Sequence, residues 1–219
     1  MAMNVAIDGP AGAGKSTIAK AIAAKMGYVY VDTGAMYRAM ALYFLRANIT
    51  KDDEAKISSV VDDITVSIKY EDGAQHVILN GEDVTGLIRT EEVGNMASST
   101  SVFSAVRTKL VALQQDLAKT TDVIMDGRDI GTVVLPNADV KIFLTASVEC
   151  RAKRRFDELV AKGENPDFDK IAKDIEERDY RDSHREISPL KQADDAILVD
   201  SSEMTIDEVV ETIIGYCNK

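Results

Sequence analysis

Residues 3–26, M-N-V-A-I-D-G-P-A-G-A-G-K-S-T-I-A-K-A-I-A-A-K-M, leave the start of this chain little conformational choice. Met3 to Asp8 is a short β-branched apolar run of the kind that forms a buried parallel strand, and Lys15 to Met26 is Ala-rich with helical periodicity. A strand, a glycine loop and a helix N-terminus therefore follow in the order that anion binding requires. The spacing Gly9, four residues, Gly14, Lys15, Ser16 fits a phosphate-binding loop. In such a loop backbone N–H groups wrap the phosphates, the lysine bridges the terminal ones and the hydroxyl meets Mg²⁺.

The 219 residues are expected to form one compact unit or a core with small insertions, and 45% hydrophobic composition is enough for a real core. No apolar run approaches the length that spans a bilayer, and the first strand follows the N-terminus with no basic flank or cleavable apolar segment, so a soluble cytoplasmic protein is expected. Cys150 and Cys217 lie far apart without metal-like or redox spacing and read as reduced thiols. A net charge of −11 argues against binding nucleic-acid polymers or anionic membranes, which need a positive field. Any anion bound here must be met by locally clustered arginines.

Short β-rich runs recur at Tyr28 to Val31, Val123 to Met125, Val140 to Leu144 and Ile197 to Val199. Amphipathic helical stretches lie between them, at about Met36 to Ala47, Val102 to Lys119, Ser147 to Lys162, Lys170 to Arg185 and Thr205 to Cys217. This alternation predicts an α/β fold, a parallel sheet with helices on both faces. One segment breaks it. From Ile64 to Gly86 the pattern has period two, with turns at Asp72-Gly73 and Asn80-Gly81, which predicts a small inserted antiparallel meander. It is either a flap over substrate or a decorative insertion, and His76 on it reads as a surface residue.

Charged stretches are the next candidates. On a helix Arg178, Asp182 and Arg185 stand at i, i+4 and i+7, and Arg151, Arg154 and Arg155 at i, i+3 and i+4, so each set shares a face. A solvated charge-laced helix is the usual origin of such patterns. The phosphate loop tips the balance toward phosphate clamps, because arginine grips phosphate oxygens by two parallel bonds. Gly and Pro in Ala161 to Phe168 suit the tip of a mobile lid between these helices. Asp32-Thr33-Gly34 follows the second strand at the carboxyl edge where α/β ligands bind, although Asp32 or Thr33 can equally cap the next helix. Met125 to Asp129 follows another strand: Asp126 sits where an acid organises Mg²⁺ water, and Arg128 and Asp129 are site residues or a surface ion pair.

Taken together, I-D-G-P-A-G-A-G-K-S-T, D-T-G-A-M-Y-R, the meander ending G-E-D-V-T-G-L-I-R-T-E-E-V, D-G-R-D-I-G-T-V-V and E-R-D-Y-R-D-S resemble bacterial cytidylate kinases, in order and over nearly the whole chain. The resemblance implies a three-layer P-loop fold with core residues 1–60, 90–147 and 188–219, a monophosphate-binding insertion at about 61–89 and a helical lid at about 148–187. It implies transfer of the γ-phosphoryl of ATP, carried with Mg²⁺, to CMP or dCMP, by a monomer. Gly9, Pro10, Ala11, Gly12, Ala13, Gly14, Lys15, Ser16 and Thr17 would then hold ATP, with Ser16 toward the metal. Arg38, Arg128, Arg178 and Arg185 would surround the acceptor phosphate or the transferring group, Thr33 and Asp182 would lie nearer the sugar, and Ser98, Arg107 and Asp129 would read cytosine. Arg151, Arg154 and Arg155 would belong to the lid over ATP.

The chemistry of the acceptor points the same way. A sugar hydroxyl needs a general base, whereas a nucleoside monophosphate brings an oxygen already ionised near neutrality, its second pKa being about 6. No triad or His-centred base is evident, and positioning two polyanions calls instead for arginines, Mg²⁺ and exclusion of water. The rivals are a P-loop kinase acting on a hydroxyl of a small metabolite, which would recruit Asp129 as base, and a nucleotide-dependent switch. The switch is disfavoured in its GTPase form by the lack of an N-K-x-D segment.

Overall fold

The computed structural model describes residues 2–71 and 74–218. In chain order its elements are β1 (Asn4–Asp8), α1 (Lys15–Met26), β2 (Val29–Asp32), α2 (Thr33–Arg46), α3 (Glu54–Val60), β3 (Val66–Glu71), β4 (Ala74–Leu79), β5 (Glu82–Asp83), α4 (Glu91–Thr100), α5 (Ser104–Ala118), β6 (Val123–Gly127), β7 (Val140–Thr145), α6 (Val148–Ala161), α7 (Phe168–His184), β8 (Ile197–Asp200) and α8 (Ile206–Cys217). A five-residue π-helical turn, Ile130–Val134, follows β6. The chain divides into two compact units, Met1–Tyr30 with Thr121–Lys219, and Val31–Thr120.

The first unit holds the sheet, whose strand order is β2-β6-β1-β7-β8. β1 runs parallel to β6 and β7, and β7 parallel to β8. Strand side chains alternate between faces, so Val5 and Ile7 share one face, where with Ile142 and Leu144 they join Ile18 and Ile22 of α1 and Val209, Val210 and Ile213 of α8 in one core cluster. Each such aliphatic side chain contributes roughly 1.5–3 kcal/mol by leaving water. α8 starts on a reciprocal cap in which Thr205 and Glu208 satisfy each other's backbone N–H. Phe156 of α6 and Phe168 of α7 meet edge to face at 6.1 Å.

In the second unit α2 buries Met36, Met40 and Phe44. The expected meander is there: β3 and β4 pair antiparallel in the register Val66↔Leu79, and β4 and β5 pair through Leu79↔Glu82. Asn80 and Gly81, with φ of 49° and 89°, form the left-handed two-residue turn between them. The other expected turn, Asp72-Gly73, lies outside the described residues.

Most strands and helices fall within a residue or three of their expected limits. α3 and α4 were not foreseen; both begin on a capping side chain, Asp53 and Thr90. A further correction concerns α7, which ends at His184, with Arg185 in extended conformation as its C-cap, so Arg185 does not continue the helical face of Arg178 and Asp182. Both cysteines are free thiols. No helix among the described residues is long and apolar enough to cross a membrane.

Candidate active site

The loop between β1 and α1 is shaped by its glycines and fastened from outside. Gly9, Gly12 and Gly14 all have positive φ. A Cβ on Gly9 would stand 1.9 Å from the Leu144 carbonyl oxygen, so only glycine lets the loop pass β7. Arg151 of α6 donates to Ala11 O at 3.0 Å, to Ala146 O at 2.9 Å and to Asp179 of α7 at 2.6 Å. Arg154 reaches Ser201 O at 2.8 Å, while Ser201 Oγ lies 3.5 Å from Ala13 O. Arg155 is half-exposed and pairs with Glu158 at 2.9 Å, so it stands apart from the other two arginines of its helix.

The start of α1 differs from every other helix start but that of α5, which begins on Phe103 and likewise has no side-chain cap or first-turn acid. α2, α3, α4, α6, α7 and α8 begin on an Asp, Ser or Thr whose side chain accepts from a first-turn N–H, whereas α1 begins on Gly14, with no side-chain cap and no acid in its first turn. Its N–H groups and dipole are left for an anion. Lys15 is buried and donates to Pro10 O at 2.7 Å. Burial first, then the Arg128 charge, push its ammonium down to about 7, so a phosphate arriving here supplies missing negative charge. Ser16 Oγ donates to Asp126 Oδ2 at 2.9 Å, and Tyr30 donates to Asp126 Oδ1 at 2.8 Å, which fixes the carboxylate at the end of β6.

The positive charges beside the loop are held by carboxylates. Arg128 Nε donates to Asp182 at 2.9 Å, and Arg185 Nη2 lies 3.8 Å from Asp129. Arg128 and Asp129 are therefore not an ion pair with each other; each has its partner on the α7 segment. Burial pushes the Asp182 carboxyl up, but Arg128, Arg178 and Arg185 together hold it below its usual range. Arg185 Nε also donates to Ser188 O at 2.6 Å, with Ser188 at φ 51°. Lys15 feels the charges of both Arg128 and Arg178. Lys15, Arg128 and Arg178 thus form one electrostatically connected group.

In the second unit Asp32 caps α2, accepting from Ala35 N at 2.9 Å. Its own N–H donates to Gln75 of β4 at 2.8 Å, and Arg89 donates to its other carboxylate oxygen. Thr33 and Arg38 follow in α2, with Thr33 buried. Arg107 of α5 is buried, donates to Ser101 O at 3.2 Å and sits 5.7 Å from the centre of the Tyr37 ring. Ser101 Oγ in turn donates to Ser98 O at 3.1 Å, so Ser98 and Arg107 converge on one turn between α4 and α5. His76 has a partner after all, with Nδ1 2.7 Å from Asp83.

A nucleotide loop on this sheet, with arginines gathered beside it, is common to many kinases, and comparison narrows the choice. The model of the family described as cytidylate kinase matches residues 5–219. The chain belongs to the cytidylate kinase family. A cytidylate kinase of Lactobacillus johnsonii is 56% identical over 99% of this chain and 94% of its own length, and one of Caldicellulosiruptor saccharolyticus is 53% identical over 97% and 94%. A solved structure, an uncharacterized protein from Eubacterium ventriosum, covers 99% of both chains with a TM-score of 0.56 at 12% identity, and this likeness extends to the fold alone. As a cytidylate kinase family member the chain is a nucleotide-using kinase, as its loop and arginines led one to expect.

Several residues of the site were not singled out from sequence. Asp8 is buried and accepts from Ile130 N at 2.8 Å and Gly131 N at 2.7 Å. Burial pushes its carboxyl up to about 6 against the pull of those two N–H groups. Tyr30, Asp179 and Ser201 likewise hold site residues on other segments of the chain. The only sequence signal for Asp8 was a carboxylate ending an otherwise apolar buried strand.

Proposed function

We propose that the chain transfers the γ-phosphoryl group of ATP to CMP or dCMP, releasing ADP and CDP or dCDP. The observation that carries this reading is the electrostatic grouping of Lys15 with Arg128 and Arg178, in which each nearby carboxylate already has a partner. Asp126 accepts from Ser16 and Tyr30, Asp182 from Arg128 and Asp8 from backbone, and Asp129 lies 3.8 Å from Arg185, so none stands as a spare general base. A hydroxyl acceptor would need one of them as base. A phosphate acceptor needs none, being ionised already.

In this reading the loop residues Gly9 to Thr17 wrap the ATP phosphates, and Lys15, drawn off Pro10 O, stabilises the charge that develops on the transferring group. Arg38, Arg128, Arg178 and Arg185 align the acceptor phosphate or the transferring group. Thr33 and Asp182 address the sugar. Asp129 accepts from the cytosine amino group, and Ser98 and Arg107 complete the recognition of the base; one good carboxylate–amino pair is worth about 1–3 kcal/mol of discrimination. Arg151 and Arg154 hold the loop's outer carbonyls, and with Arg155 they belong to a lid of residues 148–187 that closes over ATP. Residues 61–89 are the monophosphate-binding insertion, and the rest is core.

Mg²⁺ fits this donor set. Ser16 and Asp126 offer hard oxygen ligands at the phosphate loop. When bound it would neutralise phosphate charge. The enzyme acts as a monomer in the cytoplasm, on small molecules, with neither nucleic acid nor membrane as partner. The test is ADP release with CMP, dCMP, UMP, AMP, GMP and hydroxyl acceptors such as uridine and shikimate. CMP and dCMP should lead; a hydroxyl acceptor in first place would overturn the proposal.

A further inference from the structure

The π-helical turn Ile130–Val134 has an aspartate, Asp129, at its N-cap position, and that aspartate does not cap it. Aspartate at such a position ordinarily folds back to accept from the N–H groups that follow. Here the donors are already taken. Asp8, 122 residues earlier at the end of β1, accepts from the N–H of Ile130 at 2.8 Å and of Gly131 at 2.7 Å. Asp129 instead directs Oδ1 toward Arg185 Nη2 at 3.8 Å.

The fit around Asp8 is close. A Cβ on Gly131 would be in ordinary contact with Asp8 Oδ2 at 3.4 Å and 3.2 Å from Lys141 Cδ, so the carboxylate and the lysine stem both pack directly on this glycine. Lys141 itself is anchored by Pro136 O at 2.6 Å and by Asp195 at 2.7 Å. The loop side of Asp8 is secured independently by Arg151, Arg154 and the contact of Gly9 with β7, whereas the Ile130 side depends on Asp8 for its cap.

The geometry points to Asp8 as a positioning residue for acceptor choice: by capping the turn from another strand it releases the Asp129 carboxylate to read the base. This rests on the reading that Asp129 contacts cytosine. Without Asp8, Asp129 is drawn onto its own turn, because those N–H groups are buried and need an acceptor. Asp8→Asn keeps the shape but turns one acceptor into a donor facing an N–H.

The experiment measures kcat/KM for CMP and for UMP, at fixed ATP and Mg²⁺ and at pH 8, in wild type, Asp8→Asn, Asp129→Ala and the double variant, with ATP affinity measured separately. Asp129→Ala should lower the CMP-to-UMP ratio roughly tenfold with ATP affinity within about twofold of wild type, and Asp8→Asn should lower the ratio roughly fivefold, ATP affinity being read separately because the Asp8 charge also acts on Lys15. The double variant should show a ratio no lower than Asp129→Ala alone, since both changes remove the same contact. If Asp129→Ala lowers the ratio and Asp8→Asn leaves it unchanged, the role assigned to Asp8 is wrong while the reading of Asp129 stands. If Asp129→Ala leaves it unchanged, Asp129 does not read the base and both fall. Should Asp8→Asn fail to fold, Asp8→Ser decides: its hydroxyl can accept from at most one of the two N–H groups, so the ratio must fall in the same direction, and an unchanged ratio overturns the role.

Discussion

The loop Gly9–Gly14 and the arginine group Arg128, Arg178 and Arg185 both offer positive potential to an anion, but they are built from different materials. The loop uses backbone N–H groups and an uncapped helix start, set by contiguous residues whose glycines are irreplaceable where β7 passes within van der Waals reach. The arginines are side chains on separate segments, just past β6 and in the α7 region, and two of them face carboxylates: Arg128 faces Asp182 and Arg185 faces Asp129. Backbone donors need no partner to stay in place. Side-chain donors lose rotamer freedom, and their counter-charges keep them ordered before the second anion arrives.

That contrast is tested first where the two materials meet. Lys15→Met should fold normally yet lose at least about a hundredfold in kcat, because the loop retains its backbone donors but not the charge that answers the transferring group. Turnover close to wild type would remove Lys15 from the chemistry. The arginine side should break differently. Asp182→Asn, which takes a charge from the partner of Arg128, should lower kcat/KM for CMP roughly tenfold or more while leaving ATP affinity within about twofold. Equal damage to both substrates would mean that the two regions are not separable.

Protons give a subtler test. The Lys15 ammonium, held down at about 7 by burial and then by Arg128, is part-neutral at neutral pH in the absence of ligand, and ATP must favour its charged form. ATP binding at pH 7 should therefore take up about half a proton more in wild type than in Lys15→Met, and wild-type affinity should fall as pH rises through 7. Calorimetry in buffers of differing ionisation enthalpy measures this; identical uptake in the two proteins would refute it. The smallest effect belongs to Arg155, whose partner in the structure is the exposed Glu158. Arg155→Ala should raise KM for ATP by less than about threefold and leave KM for CMP unchanged. A loss as large as that from Lys15→Met would move Arg155 from lid to reaction centre.

The same contrast explains what could be read from the sequence. The loop was legible because strand, glycines, lysine and hydroxyl lie within one short stretch, and the meander because period-two patterning and Asn80-Gly81 are local signals. The arginines were legible as a type, not as an arrangement: helical spacing put Arg185 on the face of Arg178, whereas the helix ends at His184. Arg151 resembled a surface phosphate clamp in one dimension and proved to be buried against the loop carbonyls. Asp8 showed only as a carboxylate ending an apolar strand, and its role stayed hidden because both of its donors lie more than a hundred residues away. α4, with E-E-V-G-N-M-A-S-S-T, lacks a strong apolar stripe, and only its Thr90 cap and opening glutamates announced it.

Phosphate passed to phosphate, on a cytosine nucleotide, has a direct spectroscopic signature in ³¹P NMR of a reaction holding ATP, Mg²⁺, the protein and equal concentrations of CMP, UMP and cytidine. Coupled phosphoanhydride resonances of CDP should grow together with those of ADP, with CDP well ahead of UDP and cytidine untouched. A new phosphomonoester signal from cytidine, or ADP accumulating with inorganic phosphate and no CDP, would contradict it.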